Sequence, residues 1–451
     1  MIPLAHPFRI DFGAWFFLLL LGVITGLLLS VPTVRAVLLS TLTIVLVTLV
    51  ILWTFATHND IKPLYIVAIF GFLLLIFTIN IPVQEITLSP DAFRYENKAW
   101  LTAQSWWHPD HPPIEYLNLR VRSYAYVGAL IYFLFGRSSV SLIVLNISFW
   151  VFAILCWMII AKQHLGLTRY GIVGFLLTLF PAGIRYSINI IREPLTHAFL
   201  ALSFLFVFRW IESERLQYLV LSFGSSFGLL LLRPELFLPF WVIVSGVVFV
   251  AGPDNCRKHL SYIVMSAFSI GALFAHKIRQ MLPRYADPDY ALDITVLNVK
   301  LSPPPGATRT YLEGMEYNSW IDVITFLPVR LYNFIIMPLQ FVPDQWSLAS
   351  KHGLDAVFVL FIIILAILGI CILFIRWFTI EFDANQFRVS TILLLYFFAV
   401  MSGYSLVISS PAAVRRRYVI IPVIVLFTAI AVAKIVDRTR WRFEIRAALN
   451  D

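Results

Sequence analysis

The sequence predicts an all-α, polytopic membrane protein with about 12 spans, organised as a single transmembrane domain over residues 1–451. Three observations carry that fold class. First, 60% of the 451 residues are apolar and 13% charged, against about 45–50% and 25% in an average soluble domain; mean hydropathy is +0.85. Second, apolar runs of the length that crosses a hydrocarbon core, about 20 residues, recur along the chain. Third, Lys and Arg gather in alternate loops. A soluble chain cannot hide so much apolar surface, so the composition excludes a soluble enzyme, a disordered chain and a nucleic-acid-binding module.

The runs fall, in order, at 15–31, 36–56, 64–83, 139–161, 169–187, 194–211, 217–232, 235–251, 259–276, 353–377, 388–408 and 417–435. The first is longer than a signal-peptide core and lacks an A-x-A site, so it is expected to be a retained span. Two further stretches, 123–136 and 321–342, suit interfacial or re-entrant helices; the first is short, and the second contains Pro328, Arg330, Asn333 and Pro338. Continuous spans are expected throughout, with almost no ionisable group at mid-membrane. Cys156, Cys256 and Cys371 suggest neither a disulfide framework nor a zinc cluster.

Placing the N-terminus in the cytoplasm puts fifteen cations in short cytoplasmic segments, from Arg9 and Lys62 through Lys162, Arg169, Arg209 and Arg388 to five in the tail. Seven remain in short outer loops: Arg35, Arg185, Arg192, Arg233 and Arg415 to Arg417. This imbalance fits the positive-inside rule. Two long outer loops result, 84–138 with juxtamembrane helices and 277–352, and polar chemistry gathers at that face.

The first outer loop opens with Ser89-Pro90-Asp91, a helix start with serine as cap and proline at the first turn, and the helix is expected to run to about Trp107. Asp91 offers a carboxylate at the membrane surface that could serve as general base; the plainer role is a first-turn acid opposing the helix dipole. His108-Pro109-Asp110-His111-Pro112-Pro113-Ile114-Glu115 follows. Its histidines and carboxylates leave a divalent cation open as a cofactor, but the prolines break the ligand spacing of a helical metal site, so a rigid substrate-positioning loop containing His111 is preferred. At the next outer turn, Arg192-Glu193-Pro194 opens a span. It reads either as an interfacial ion pair or as a phosphate-holding arginine beside a carboxylate that aids a hydroxyl or a metal. Arg233-Pro234-Glu235 repeats the theme. Arg415-Arg416-Arg417 puts three mutually repelling cations on the outer face, where their forks suit a lipid phosphate; the same cluster would be ordinary on the cytoplasmic side.

These motifs resemble the GT-C superfamily of membrane glycosyltransferases. The features that carry the resemblance are Asp91 opening a large outer loop with Tyr95 and Ala99 after it, Pro112-Pro113, Leu134-Phe135-Gly136, Glu193 opening a span, the Leu327-to-Pro338 segment, and the Arg415-to-Arg417 turn with Pro422. The resemblance implies a multi-pass protein of the plasma (inner) membrane, with Asp91 and Glu193 catalytic. It also implies transfer of a sugar from a polyprenyl-phosphate-linked donor to a glycan, lipid or protein acceptor on the outer face. Arg192 and Arg415 to Arg417 would bind the lipid phosphate, and Tyr95, His111 and Arg233 the substrate. The chain departs from that family's plan in having two spans ahead of the one before the large loop, and in lacking a large C-terminal soluble domain. A polysaccharide polymerase or ligase, or a transporter of lipid-linked saccharides, is the alternative.

Overall fold

The computed structural model describes residues 32–83, 90–108, 119–262, 317–336, 353–378, 383–407 and 418–450. The predicted span 15–31, most of 259–276, His111 and Arg415 to Arg417 lie outside these. The described secondary structure is helical, with no strand among the described residues. In chain order the helices are α1 (Pro32–His58), α2 (Pro63–Val83), α3 (Pro90–Trp107), α4 (Leu119–Phe135), α5 (Ser139–Ile159), α6 (Gly171–Thr178), α7 (Pro181–Ser187), α8 (Glu193–Ser213), α9 (Leu216–Leu232) and α10 (Pro234–Ala251). They continue with α11 (Trp320–Ile336), α12 (Gly353–Phe378), α13 (Ala384–Val407) and α14 (Ile421–Asn450). A π turn, Ile160–His164, extends α5, and a 3₁₀ turn, Tyr418–Ile420, leads into α14.

Seven described helices are long and apolar enough to cross a membrane: Ser40–His58, Ser139–His164, Glu193–Ser213, Pro234–Ala251, Val357–Phe378, Ala384–Leu406 and Tyr418–Asp437. Three shorter apolar helices, Pro63–Ile79, Val121–Phe135 and Leu216–Leu232, accompany them. The chain is thus a helical, membrane-embedded protein. Glu193–Ser213 has 21 residues, and at 1.5 Å rise per residue that gives about 30 Å, one hydrocarbon thickness.

One predicted span is corrected. The run 169–187 is two helices, α6 and α7, not one. Phe180 precedes Pro181 and takes an extended ψ of 113°, because the proline ring clashes with a helical residue before it. Hydropathy does not register this break, and the expectation of continuous spans fails here.

Burial separates interior helices from peripheral ones. In the apolar windows of α5, α8 and α14, 83%, 78% and 78% of residues are buried, against 28% in those of α1, α10 and α12. The latter leave rows such as Val47, Val50 and Ile51, or Leu238 and Val242, facing outward. One continuous apolar core joins the helices, from Ile44 on α1 to Ile430 on α14. Polar contacts fix the register within it. Ser40 bonds Ser141 at 2.6 Å and Thr48 donates to Ser148 at 3.0 Å, so α1 and α5 run parallel. Thr428 Oγ1 on α14 donates to the Ile362 carbonyl of α12 at 2.8 Å. Gly369 lets these two helices approach so closely that a Cβ there would collide with the Phe427 carbonyl.

Contacts also sort the turns onto two ends of the bundle. At one end Lys162 donates to the Asp60 carbonyl, Arg209 to Asn59, Arg169 to Asp437 and Arg388 to the Ala251 carbonyl. At the other lie the Arg185–Asp355, Arg233–Glu193 and Arg137–Glu96 pairs. The partition is the one the alternating loops predict.

Candidate functional site

The site is built at the second end, on α8. Glu193 occupies the first turn of α8, where a carboxylate complements the helix dipole, and Pro194 follows it. Arg192 precedes the helix with its carbonyl accepting from Thr196 Oγ1 at 3.0 Å. The sequence neighbours Arg192 and Glu193 suggest an ion pair with each other, but the fold pairs them differently. Arg192 Nη1 donates to the Leu232 carbonyl at 3.1 Å. Glu193 is held instead by Arg233, whose Nη2 donates to Oε1 at 2.6 Å, and the two side chains are 3% and 0% exposed. Arg233 sits in the tight turn between α9 and α10. Its φ of −147° and ψ of 74° are non-helical, as the following Pro234 requires, and this turn brings the guanidinium back onto α8. Its Nη1 also lies 3.5 Å from Glu235 Oε1. One guanidinium therefore serves two carboxylates, using the two sides of its fork.

The helical hairpin α3–α4 lies over this end. The expected helix from Pro90 to Trp107 is present with those bounds. Asp91, in its first turn, is exposed, whereas Tyr95, one turn further on the same face, is buried. Tyr95 packs edge-on against Tyr124 of α4, with centroids 5.1 Å apart. Tyr124 Oη donates to Asn146 Oδ1 of α5 at 2.9 Å. Asn146 Nδ2 in turn donates to the carbonyls of Asn189 and Ile191, the non-helical link that delivers Arg192 and Glu193 to α8. A chain of contacts thus runs from the Asp91 helix, through Tyr95, Tyr124 and Asn146, to the strand of backbone just ahead of Glu193. The hairpin is pinned by Arg137, which donates Nε and Nη2 to the two oxygens of the buried Glu96, each at 2.8 Å, while Tyr132 donates to the same carboxylate at 3.1 Å. The Glu96 hydrogen bonds hold the Arg137 guanidinium above its ordinary pKa.

A second pair, with a buried carboxylate and a partly exposed arginine, flanks the first. Arg185, at the end of α7, meets Asp355, in the first turn of α12, at 2.7 Å, and Asp355 is 1% exposed. Tyr418 stands beside this pair, stacked on Phe180 and edge-on to Tyr186, the ring that Arg185 covers. His197, one turn past Glu193, touches Tyr418 and Trp150.

Of the residues singled out in the sequence, the fold brings together Tyr95, Arg192, Glu193 and Arg233, with Asp91 on the Tyr95 face of α3. His111 and Arg415 to Arg417 lie outside the described residues, although Tyr418, the residue after Arg417, stands in the cluster. Residues 109–118, on which the cation alternative rests, are also outside them; among the described residues, no group of three or more His, Cys, Asp or Glu is arranged to hold a metal ion. Sequence reasoning passed over Tyr124, Asn146, His197 and Asp355. The signal for Asn146 and His197 was present, because polar and ionisable side chains inside apolar spans usually have a role.

Compared with protein-family models, curated proteins and solved structures, the chain matches none.

Proposed function

We propose that this chain is an integral membrane glycosyltransferase of GT-C type in the plasma (inner) membrane, moving a sugar from a polyprenyl-phosphate-linked donor to an acceptor at the outer face. In this reading the acceptor oxygen attacks the anomeric carbon, the carbon–oxygen bond to phosphate breaks, and polyprenyl phosphate leaves. Asp91 takes the acceptor hydroxyl proton as general base. Glu193, fully buried and oriented by Arg233, acts as a fixed charge behind the site. Arg192 and the Arg415-to-Arg417 turn stabilise the charge that grows on the leaving phosphate. An enzyme at the outer face has no access to cytosolic nucleotide sugars, so a lipid-carried donor follows from the location.

The observation that carries the reading is the fully buried Glu193–Arg233 pair at the bundle end that also holds Asp91, with the Tyr95–Tyr124–Asn146 chain between them. The test is transfer of radiolabel from polyprenyl-phosphate hexoses and pentoses by the purified full chain in nanodiscs. Product formation that Asp91→Asn abolishes supports it; turnover unchanged in Asp91→Asn removes Asp91 as base, and no turnover with any donor removes the reading.

One observation favours a transporter of lipid-linked saccharides instead. The crossing made by α6 and α7 is interrupted at Phe180-Pro181, beside the buried carboxylates, and broken crossings near a site are frequent in transporters. Movement of labelled lipid-linked sugar across vesicles without any new glycosidic product would select that reading.

A further inference from the structure

Trp150, His197 and Tyr418 form a three-ring cluster one helical turn inside Glu193. Ring centroids are 4.2 Å apart for His197 and Tyr418, 5.1 Å for Trp150 and His197, and 5.3 Å for Trp150 and Tyr418. All three side chains are 0% exposed. Each also carries hydrogen-bonding atoms without a partner among the described residues: both ring nitrogens of His197, Oη of Tyr418 and Nε1 of Trp150. The three come from separate elements, α5, α8 and the 3₁₀ turn before α14, so the fold converges on this point from three directions.

Buried polar groups of folded proteins are nearly always hydrogen-bonded, to protein or to ordered water. Four such atoms on three touching rings are difficult to reconcile with a dry interior. Their chemistry narrows what could satisfy them. Tryptophan N–H only donates, a neutral imidazole offers one donor and one acceptor, and a tyrosine hydroxyl offers both. The complement is a small neutral molecule that both donates and accepts. A bound anion would meet the Glu193 carboxylate one turn away on the same face of α8, and a bound cation would meet Arg233 beside it.

We propose that Trp150, His197 and Tyr418 enclose an internal water site, holding at least one water molecule that bridges the imidazole, the phenol and the indole. A buried water commonly makes about three hydrogen bonds, the number these three rings supply. The proposal does not depend on the glycosyltransferase reading.

The two possibilities, wet and dry, give opposite signs in one experiment. Tyr418→Phe removes the hydroxyl and keeps the ring. If the hydroxyl bonds water, its loss lowers the melting temperature of the full chain in detergent micelles by a few degrees. In a dry cluster the same change removes an orphaned group, and the melting temperature stays level or rises; that result overturns the proposal. A shared water also makes Tyr418→Phe and His197→Phe non-additive, the double variant melting no lower than the worse single one, whereas summed losses argue against a common ligand. Independently of any variant, water-edited solid-state NMR of protein carrying ring-¹⁵N histidine should show rapid magnetisation transfer from water to an imidazole that is shielded from bulk exchange. Absence of such a signal overturns the proposal as well.

Discussion

Replacing Arg233 with alanine takes away the guanidinium that lies 2.6 Å from Glu193 and 3.5 Å from Glu235. The first contact is almost free of solvent, with side-chain exposures of 3% and 0%. Removing one member of a buried pair leaves an uncompensated charge in a low-dielectric interior and costs about 3–5 kcal/mol. That is a large share of a typical total of about 5–15 kcal/mol. The Arg169–Asp437 pair gives an internal comparison, because its side chains are 35% and 55% exposed. An exposed pair is screened, and Arg169→Ala should cost about 1 kcal/mol or less. The assay is unfolding of the full chain in mild detergent with increasing denaturing detergent, followed by tryptophan fluorescence. Arg233→Ala should shift the midpoint strongly and Arg169→Ala little. Neutralising the stranded carboxylate, in Arg233→Ala with Glu193→Gln, should recover part of the loss, and the size-matched Arg233→Met with Glu193→Leu should recover more. An Arg233→Ala variant within about 1 kcal/mol of the parent, or a double variant below the single, would refute the reasoning that this pair is a mutually dependent buried unit.

Asn146→Leu leaves the Tyr124 hydroxyl and the Asn189 and Ile191 carbonyls without the amide that now joins them. It should cost about 2 kcal/mol or more, measured by the same unfolding assay, against about 1 kcal/mol for Tyr124→Phe. Asp91 is exposed, so Asp91→Asn should move the midpoint by less than about 0.5 kcal/mol while lowering sugar transfer about 10²–10⁴-fold; a stability loss that accounts for the activity loss would contradict its assignment as base. Gly369→Leu forces α12 away from the Phe427 carbonyl and should cost about 1–3 kcal/mol, seen as a lowered Tm. Thr428→Val removes the hydrogen bond to the Ile362 carbonyl and should cost only about 0.6 kcal/mol.

The parts of the fold that were legible in the sequence depend on local rules. Helix α3 was readable to its ends because Ser89 and Pro90 mark its start and its aromatic and charged residues continue to Trp107. The assignment of turns to two ends was readable because each apolar run reverses direction. What failed was anything decided by a single backbone angle. A window average over 169–187 counts Pro181 as one residue in nineteen positions of mostly apolar chain, yet it divides the crossing in two. The partner of Glu193 failed for a related reason. Arg192 is adjacent in sequence, but the direction of a side chain at a helix start is set by the turn geometry, and a pre-proline turn 40 residues later supplies Arg233. His197 escaped notice because it sits inside an apolar run, Tyr418 because the three arginines before it drew the reading, and what they touch follows only from how α5, α8 and α14 are arranged.

The contrast between the two ends of the bundle bears on where chemistry takes place. Paired carboxylates at the Asp60 end are those of an ordinary wet surface: Asp437, Asp254 and Glu212 are 55%, 85% and 53% exposed. At the Glu193 end the carboxylates of Glu193 and Asp355 are 0% and 1% exposed. A buried pair is poor value for stability, since well-packed apolar residues of similar volume commonly do as well or better. Packing therefore gives no reason to retain two buried carboxylates around Tyr418 in a chain so rich in apolar side chains. Held charges at fixed positions in a low-dielectric setting are, however, what stabilises a developing charge, because they need no reorganisation when it forms. That asymmetry is the physical ground for proposing that the chemistry lies at the Glu193 end, and the proposal covers a lipid phosphate leaving group or a phosphate carried across.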